Sequence, residues 1–307
     1  MIDALADTPT SGPADSAGSR CSDAQVEPLP GTAKKESVYV VFEWPGGWSH
    51  DVLDGGTFGE ELTAKLKSKL KGVAGLQLVR RPGRDGRQVG KLHRCYLVWA
   101  EQGTMELLLL SGPEAILDLD LTGPGRNGGG PIDTPLILVC THGRRDVCCA
   151  VKGRPLAAAL DEVYPSGLVW ESSHTKGHRF APSVIVLPWG YSFGRLNVEA
   201  AKEMVARAVD GEMFIPACRG SGLHSPRGQV AELAVATRLA RDGEAVRYGE
   251  LKVGENSDEP AAVTVTHPDG RVWEVTLEKR AVNGVISSCG DAPKPGTAWA
   301  ATGIAAT

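Results

Sequence analysis

No apolar run in these 307 residues approaches the roughly 20 needed to cross a bilayer, which excludes a membrane-spanning helix by length alone. Charge of one sign is also missing. A net charge of -4 leaves no basic footprint, so the reading is no nucleic acid and no membrane among the partners. Residues 1–34 are rich in Ala, Asp, Ser, Pro and Gly, but lack the basic start and apolar middle of a secretory signal. They read as a disordered tail on a cytoplasmic protein. Paired-looking cysteines are scarce too. The chain has 7, an odd number, and without a signal a disulfide framework is not expected. Only Cys140, Cys148 and Cys149 cluster. Cys21, Cys95, Cys218 and Cys289 read as small buried hydrophobes, the usual state of a free cysteine.

What is present is a repeated order of elements. Residues 37–44 (SVYVVFEW) have strand character. Residues 57–71 read as a helix with Phe58, Leu62, Leu66 and Leu70 on one face, stopped by Gly72. Three strands are expected at 76–80, 95–100 and 105–110, then a short helical piece from Pro113 to about Leu121. A glycine and proline linker at 122–134 marks the clearest boundary. Beyond it come a buried-type strand at 135–140, a helix opening at Pro155, and strands at 168–172, 183–187 and around 192–196. A helix over 198–209 follows, capped by Asn197.

Both series run strand, helix, strand, strand, strand, helix, which is the thioredoxin-like order. The chain therefore reads as α/β, two tandem thioredoxin-like units with a small C-terminal α+β appendage. The units are expected at 35–122, without ligands, and 123–225, with the site. The appendage at 226–307 would hold a helix at 229–241, a hairpin around Pro268-Asp269-Gly270 and a loose tail after Gly290. Pro182 precedes the third strand of the second unit, where such folds place a cis proline.

The chemistry concentrates in the second unit. Cys140 ends its first strand and His174 follows its second. If those strands are parallel neighbours, their carboxyl ends open on one side of the sheet, where ligands of α/β sheets bind. The loop after Cys140 returns with Cys148 and Cys149, only one of which can point inward from an extended loop. His174 and His178, with three residues between them, can face one point. Zinc competes for such a set, although its structural sites favour about 2–4 residues between paired cysteines. Cys140-Thr141-His142 copies half of a Rieske ligand pattern; the other half, C-x2-H, is missing downstream. A thiol–disulfide enzyme would want C-x2-C at a helix start, and vicinal Cys148-Cys149 is not equivalent. Three readings stay open on residues alone: an iron–sulfur carrier, a zinc-stabilised interaction module, and a thiol-based redox enzyme.

Three segments resemble the sucrase/ferredoxin-like family, whose relatives include fungal actin-patch-distal proteins and thioredoxin-like ferredoxins. They are CTHGRRDVCCA at 140–150, HTKGHRFAP at 174–182 and LPWGYSFGRL at 187–196. The resemblance implies a 2Fe-2S cluster on C-x8-C and two histidines, which falls on Cys140, Cys149, His174 and His178. It leaves Cys148 as the extra cysteine, and Lys176 stands where the histidine motif has its first glycine. It also implies an electron carrier rather than an enzyme, serving an unknown redox partner protein. His142, Arg144, Arg145, Asp146, Cys148 and Arg179 would surround the cluster as tuning or docking residues. Imidazole ligands raise the potential relative to thiolate, and their free ring nitrogens can couple it to protons. Sucrose hydrolysis would need two carboxylates flanking a sugar, and no loop offers a persuasive pair.

Overall fold

A computed structural model describes residues 20–88, 90–164, 167–256 and 261–307. The first half begins with β1 (Val38–Glu43), α1 (Glu60–Leu70), β2 (Gly75–Arg80), β3 (His93–Trp99) and β4 (Thr104–Leu110). Apolar residues in α1 recur every four positions and bury Leu66 and Leu70, and Gly72 ends the helix at φ 72°. A short two-residue strand, β5 (Gly130–Pro131), hydrogen-bonds to β4 at the sheet edge, so the glycine-rich linker contributes a strand of its own.

The second half repeats the pattern with β6 (Leu136–Cys140), α2 (Val147–Asp161), β7 (Val169–Ser172), β8 (Ser183–Leu187), β9 (Tyr191–Gly194) and α3 (Val198–Val209). Then follow β10 (Cys218–Ser221) and α4 (Pro226–Arg241). In each half the first two strands pair in parallel and the third pairs antiparallel with the first. The halves do not stand apart. β2 and β7 pair antiparallel, joining both into one ten-stranded sheet of order β10-β9-β8-β6-β7-β2-β1-β3-β4-β5. At that seam Arg80 and Glu171 form a buried ion pair at 2.8 Å, and Trp48 covers the Arg80 guanidinium at 4.1 Å.

A separate small sheet holds β11 (Lys252–Glu255), β12 (Ala262–Thr266), β13 (Val272–Val285) and β14 (Lys294–Ala306) in sequence order. α4 lies between the sheets, its Val230, Leu233 and Leu239 buried in the largest apolar cluster with Val263, Val265 and Val275.

Three expectations need correction. The helix expected to open at Pro155 starts eight residues earlier, at Val147, and carries Pro155 inside it. Asp146 sets the start by accepting from the Cys148 N–H at 2.9 Å, so the cap outweighs the preference of proline for a first turn. The tail expected to be loose after Gly290 forms β14 instead. Its small residues have little strand preference, but the long β13 ladder, from Trp273↔Ala306 to Val285↔Lys294, supplies the hydrogen bonds. Of the tail expected at 1–34, residues 1–19 lie outside the described residues. Residues 20–34 pack closely: Gly31 N–H donates to Arg219 O at 3.0 Å, and Glu27 takes a two-point ion pair from Arg179.

Candidate metal centre

Parallel pairing of β6 with β7 sets Cys140 opposite Ser172, so Cys140 and the residues after Ser172 emerge on one side of the sheet. The first turn of α2 lies over that edge. Gly153 makes the approach possible, because a Cβ there would stand 2.0 Å from the Cys140 carbonyl oxygen. Cys149, one turn nearer the start of α2, then reaches Cys140. The Cys140 and Cys149 sulfurs and a ring nitrogen of His174 lie within 4.8 Å of one another.

His178 joins from its other flank, with Nδ1 3.4 Å from His174 Nε2. Its protonation follows from its partners. Nε2 lies 2.5 Å from the Ser287 carbonyl, which only accepts, so Nε2 carries the proton and Nδ1 presents its lone pair toward His174. Burial favours the neutral ring of His178 and pulls its pKa down, leaving it fit for metal ligation. The hydrogen bond from the Cys149 thiol and the nearby His174 favour the Cys140 thiolate, against its burial. The pair shares its proton in that sense, with Cys149 the thiol held protonated. Two soft sulfurs and a His174 ring nitrogen thus converge, with His178 beside His174 but outside that group, a set of donor types that fits an iron–sulfur cluster or zinc.

The vicinal cysteines divide. In a helix neighbouring side chains point about 100° apart, so both are buried while facing different groups: Cys149 faces Cys140, and Cys148 faces Cys21 and Cys289. The extended loop assumed from sequence is a helical turn, and neither cysteine points outward.

The surrounding residues have distinct tasks. His142 is no ligand: Nε2–H donates to Ser49 O at 2.7 Å, and Nδ1 accepts from the His174 backbone N–H at 3.2 Å. It fixes the His174 backbone, and it does so from the first half of the chain, since Ser49 follows Trp48, which packs edge-on against the His142 ring at 5.6 Å. Asp146 caps α2. Hydrogen bonds from the Cys289 and Cys148 N–H groups outweigh its burial and hold its carboxyl below the usual range. Arg144 is exposed and Arg145 approaches His50 at 3.2 Å. Arg179 is tied to Glu27. The Ala181–Pro182 bond is cis.

One residue, in the Arg219-Gly220 loop that the resembled family shares, could be given no role from sequence. Arg219 is fully buried and holds the histidine loop: it donates to Lys176 O at 3.0 Å, Ser183 Oγ at 3.3 Å, Thr32 Oγ1 at 3.0 Å and Thr32 O. Burial lowers its pKa to about 9. Gly177, at φ 143°, passes so close that a Cβ would meet Arg219 Nη1 at 2.6 Å. Lys176 sits at φ 57°, a left-handed conformation that costs a non-glycine residue about 1 kcal/mol. Its ion pair with Asp51, at 3.9 Å and exposed, offsets little. Lys176→Gly is therefore expected to raise stability by roughly 0.5 kcal/mol, after the chain entropy of glycine is subtracted. Denaturant unfolding checks this; a loss of stability would contradict the strain.

The fold and site together define a mixed α/β protein with Cys/His groups able to hold a metal. The chain belongs to the sucrase/ferredoxin-like family, whose model matches residues 29–220. Comparison with curated proteins and comparison with solved structures gave no match. Among the described residues no helix is long and apolar enough to cross a membrane.

Proposed function

We propose that this protein is an electron carrier holding a 2Fe-2S cluster on Cys140, Cys149, His174 and His178. The observation that carries the reading is the convergence of the two sulfurs with His174, flanked by a His178 whose hydrogen bond to Ser287 leaves Nδ1 unprotonated and turned toward His174. The cluster would supply a one-electron couple. The protein's own residues would set its environment: Ser287 and His142 orient the two histidine segments, and Arg219 holds the loop between them.

The matched strand orders of the two halves support tandem thioredoxin-like units fused through β2 and β7. Seven free cysteines accord with a reducing, cytoplasmic setting. His174 is half-buried and borders a groove of about 580 Å³ that Lys34, Lys35, Lys67, Lys71 and Lys176 also line. That edge suits a redox partner with an acidic face. The buried carboxylates beside the site favour a carrier over a glycoside hydrolase: Glu171 is bound to Arg80 and Arg87, and Asp146 caps a helix.

Anaerobic purification tests the proposal. The expected product is red-brown with iron and sulfide in equal amounts, and a colourless zinc protein overturns it. His174→Cys replaces a neutral ligand by a thiolate and is expected to lower the potential by about 100 mV or more, within the span between Rieske centres and plant-type ferredoxins. Redox titration reads this; an unchanged potential means His174 is not a ligand.

A further inference from the structure

A second group of sulfurs lies beside the first, built from parts of the chain that the cluster reading leaves unused. The Sγ atoms of Cys21 and Cys148 are 3.6 Å apart, those of Cys148 and Cys289 3.3 Å, and those of Cys289 and Cys21 3.7 Å. Asp146 Oδ1 stands 3.2 Å from the Cys289 sulfur and 3.8 Å from that of Cys21. All four ligand atoms lie within 4.8 Å of one another; Cys21, Cys148 and Asp146 are buried and Cys289 is half-buried.

These separations decide between two chemistries. A disulfide needs sulfurs about 2.0 Å apart, and none of the three pairs is near that. Thiolates bound tetrahedrally at about 2.3 Å from zinc lie about 3.8 Å from each other, close to what the three cysteines show. The carboxylate then takes the fourth corner. Thiolates and a carboxylate are all zinc ligand types, and the four together, closed to solvent on most sides, complete four-coordination as in a structural zinc site, with the carboxylate in place of the usual fourth cysteine or histidine.

We propose that Cys21, Cys148, Cys289 and Asp146 bind a zinc ion that fastens both ends of the chain to the first turn of α2. Cys21 comes from the segment before β1, Cys289 from the connection between β13 and β14. Both lie outside residues 29–220, the stretch matched by the family model. The clasp has secondary ties. Cys289 N–H donates to Asp146 Oδ2 at 2.9 Å, Ser22 Oγ donates to Cys148 Sγ at 3.2 Å, and Lys152 pairs with Asp23 at 2.6 Å. It also reaches the first site, because Cys289 lies two residues beyond Ser287, whose carbonyl orients His178. Loading displaces the thiol protons, so affinity for zinc rises with pH.

Metal analysis of the full-length chain tests the site. The wild type is expected to hold equimolar zinc that survives Cys140→Ser, whereas Cys21→Ser is expected to lose zinc affinity about tenfold or more and keep its iron. Cobalt added to zinc-free Cys140→Ser should give the intense visible bands of tetrahedral thiolate coordination, and Cys21→Ser in that background should remove them. Because the wild-type zinc content needs no variant, a variant that fails to fold leaves the proposal testable. It is overturned if folded wild-type chain binds neither zinc nor cobalt, if its mass shows a disulfide among the three cysteines, or if zinc departs with Cys140→Ser and stays with Cys21→Ser. Absence of iron with zinc present would overturn the cluster reading and leave this one standing.

Discussion

Cys148→Ser and Cys149→Ser are expected to give opposite phenotypes although the residues are neighbours. Cys149 faces Cys140 and His174, so its loss removes a ligand of the proposed cluster. Replacing partners that merely orient a ligand costs about 10–100-fold in metal retention, and losing the ligand itself should exceed that. Cys149→Ser should therefore purify nearly free of iron and sulfide, without the visible spectrum. Cys148 points the other way, 3.3 Å from Cys289 and 3.6 Å from Cys21. Cys148→Ser should keep its iron and its colour, and lose zinc instead. Iron, sulfide and zinc analysis of the two variants side by side provides the check. Equal iron in both would remove Cys149 from the ligand set.

The second large effect concerns a glycine, and its sign is the informative part. Gly153 lies inside α2, where helix preference alone says that alanine should stabilise by about 1 kcal/mol. Packing says the reverse. The added methyl would stand 2.0 Å from the Cys140 carbonyl oxygen and 3.0 Å from its carbon, and backbone cannot swing aside as a side chain can. α2 would have to lift from the end of β6, and Cys149 would leave Cys140 with it. Gly153→Ala is expected to lose about 3 kcal/mol, at the upper end of ordinary overpacking costs, together with metal retention. Denaturant unfolding of the metal-free chain separates the two losses. A gain in stability would refute the close approach.

Much of the scaffold was legible from local pattern. β1, β2, β6 and β8 are short runs of β-branched and apolar residues, α1 shows its four-residue repeat, and α3 announces itself through Asn197, which accepts from Ala200 N–H at 2.8 Å. Cys140 and the two histidines could be assigned to one edge because parallel strands end on one side of a sheet. What failed were the places where a distant partner outweighs a local preference. Pro155 reads as a helix start only until Asp146 is seen capping two turns earlier. The stretch after Gly290 reads as loose only until β13 is seen extending far enough to pair with it. Arg219 lies in a loop shared with the family, but nothing along the chain assigns it a role. Its importance comes from Lys176, Ser183 and Thr32, brought to it from three separate segments.

Family membership, the order of elements and the place of Cys140 and His174 at one sheet edge were legible along the chain, because motifs, spacing and periodicity are properties of neighbours. The tertiary structure decided how the vicinal cysteines divide. That outcome depends on α2 beginning at Val147, on Gly153 admitting it to the Cys140 carbonyl, and on Cys21 and Cys289 arriving from opposite ends of the chain. Cys21 and Cys289 are 268 positions apart, and no local preference encodes a meeting at that distance. Only the packing of the chain ends against α2 brings them together, which is why two cysteines read as small core residues emerge beside a third as a set of ligands.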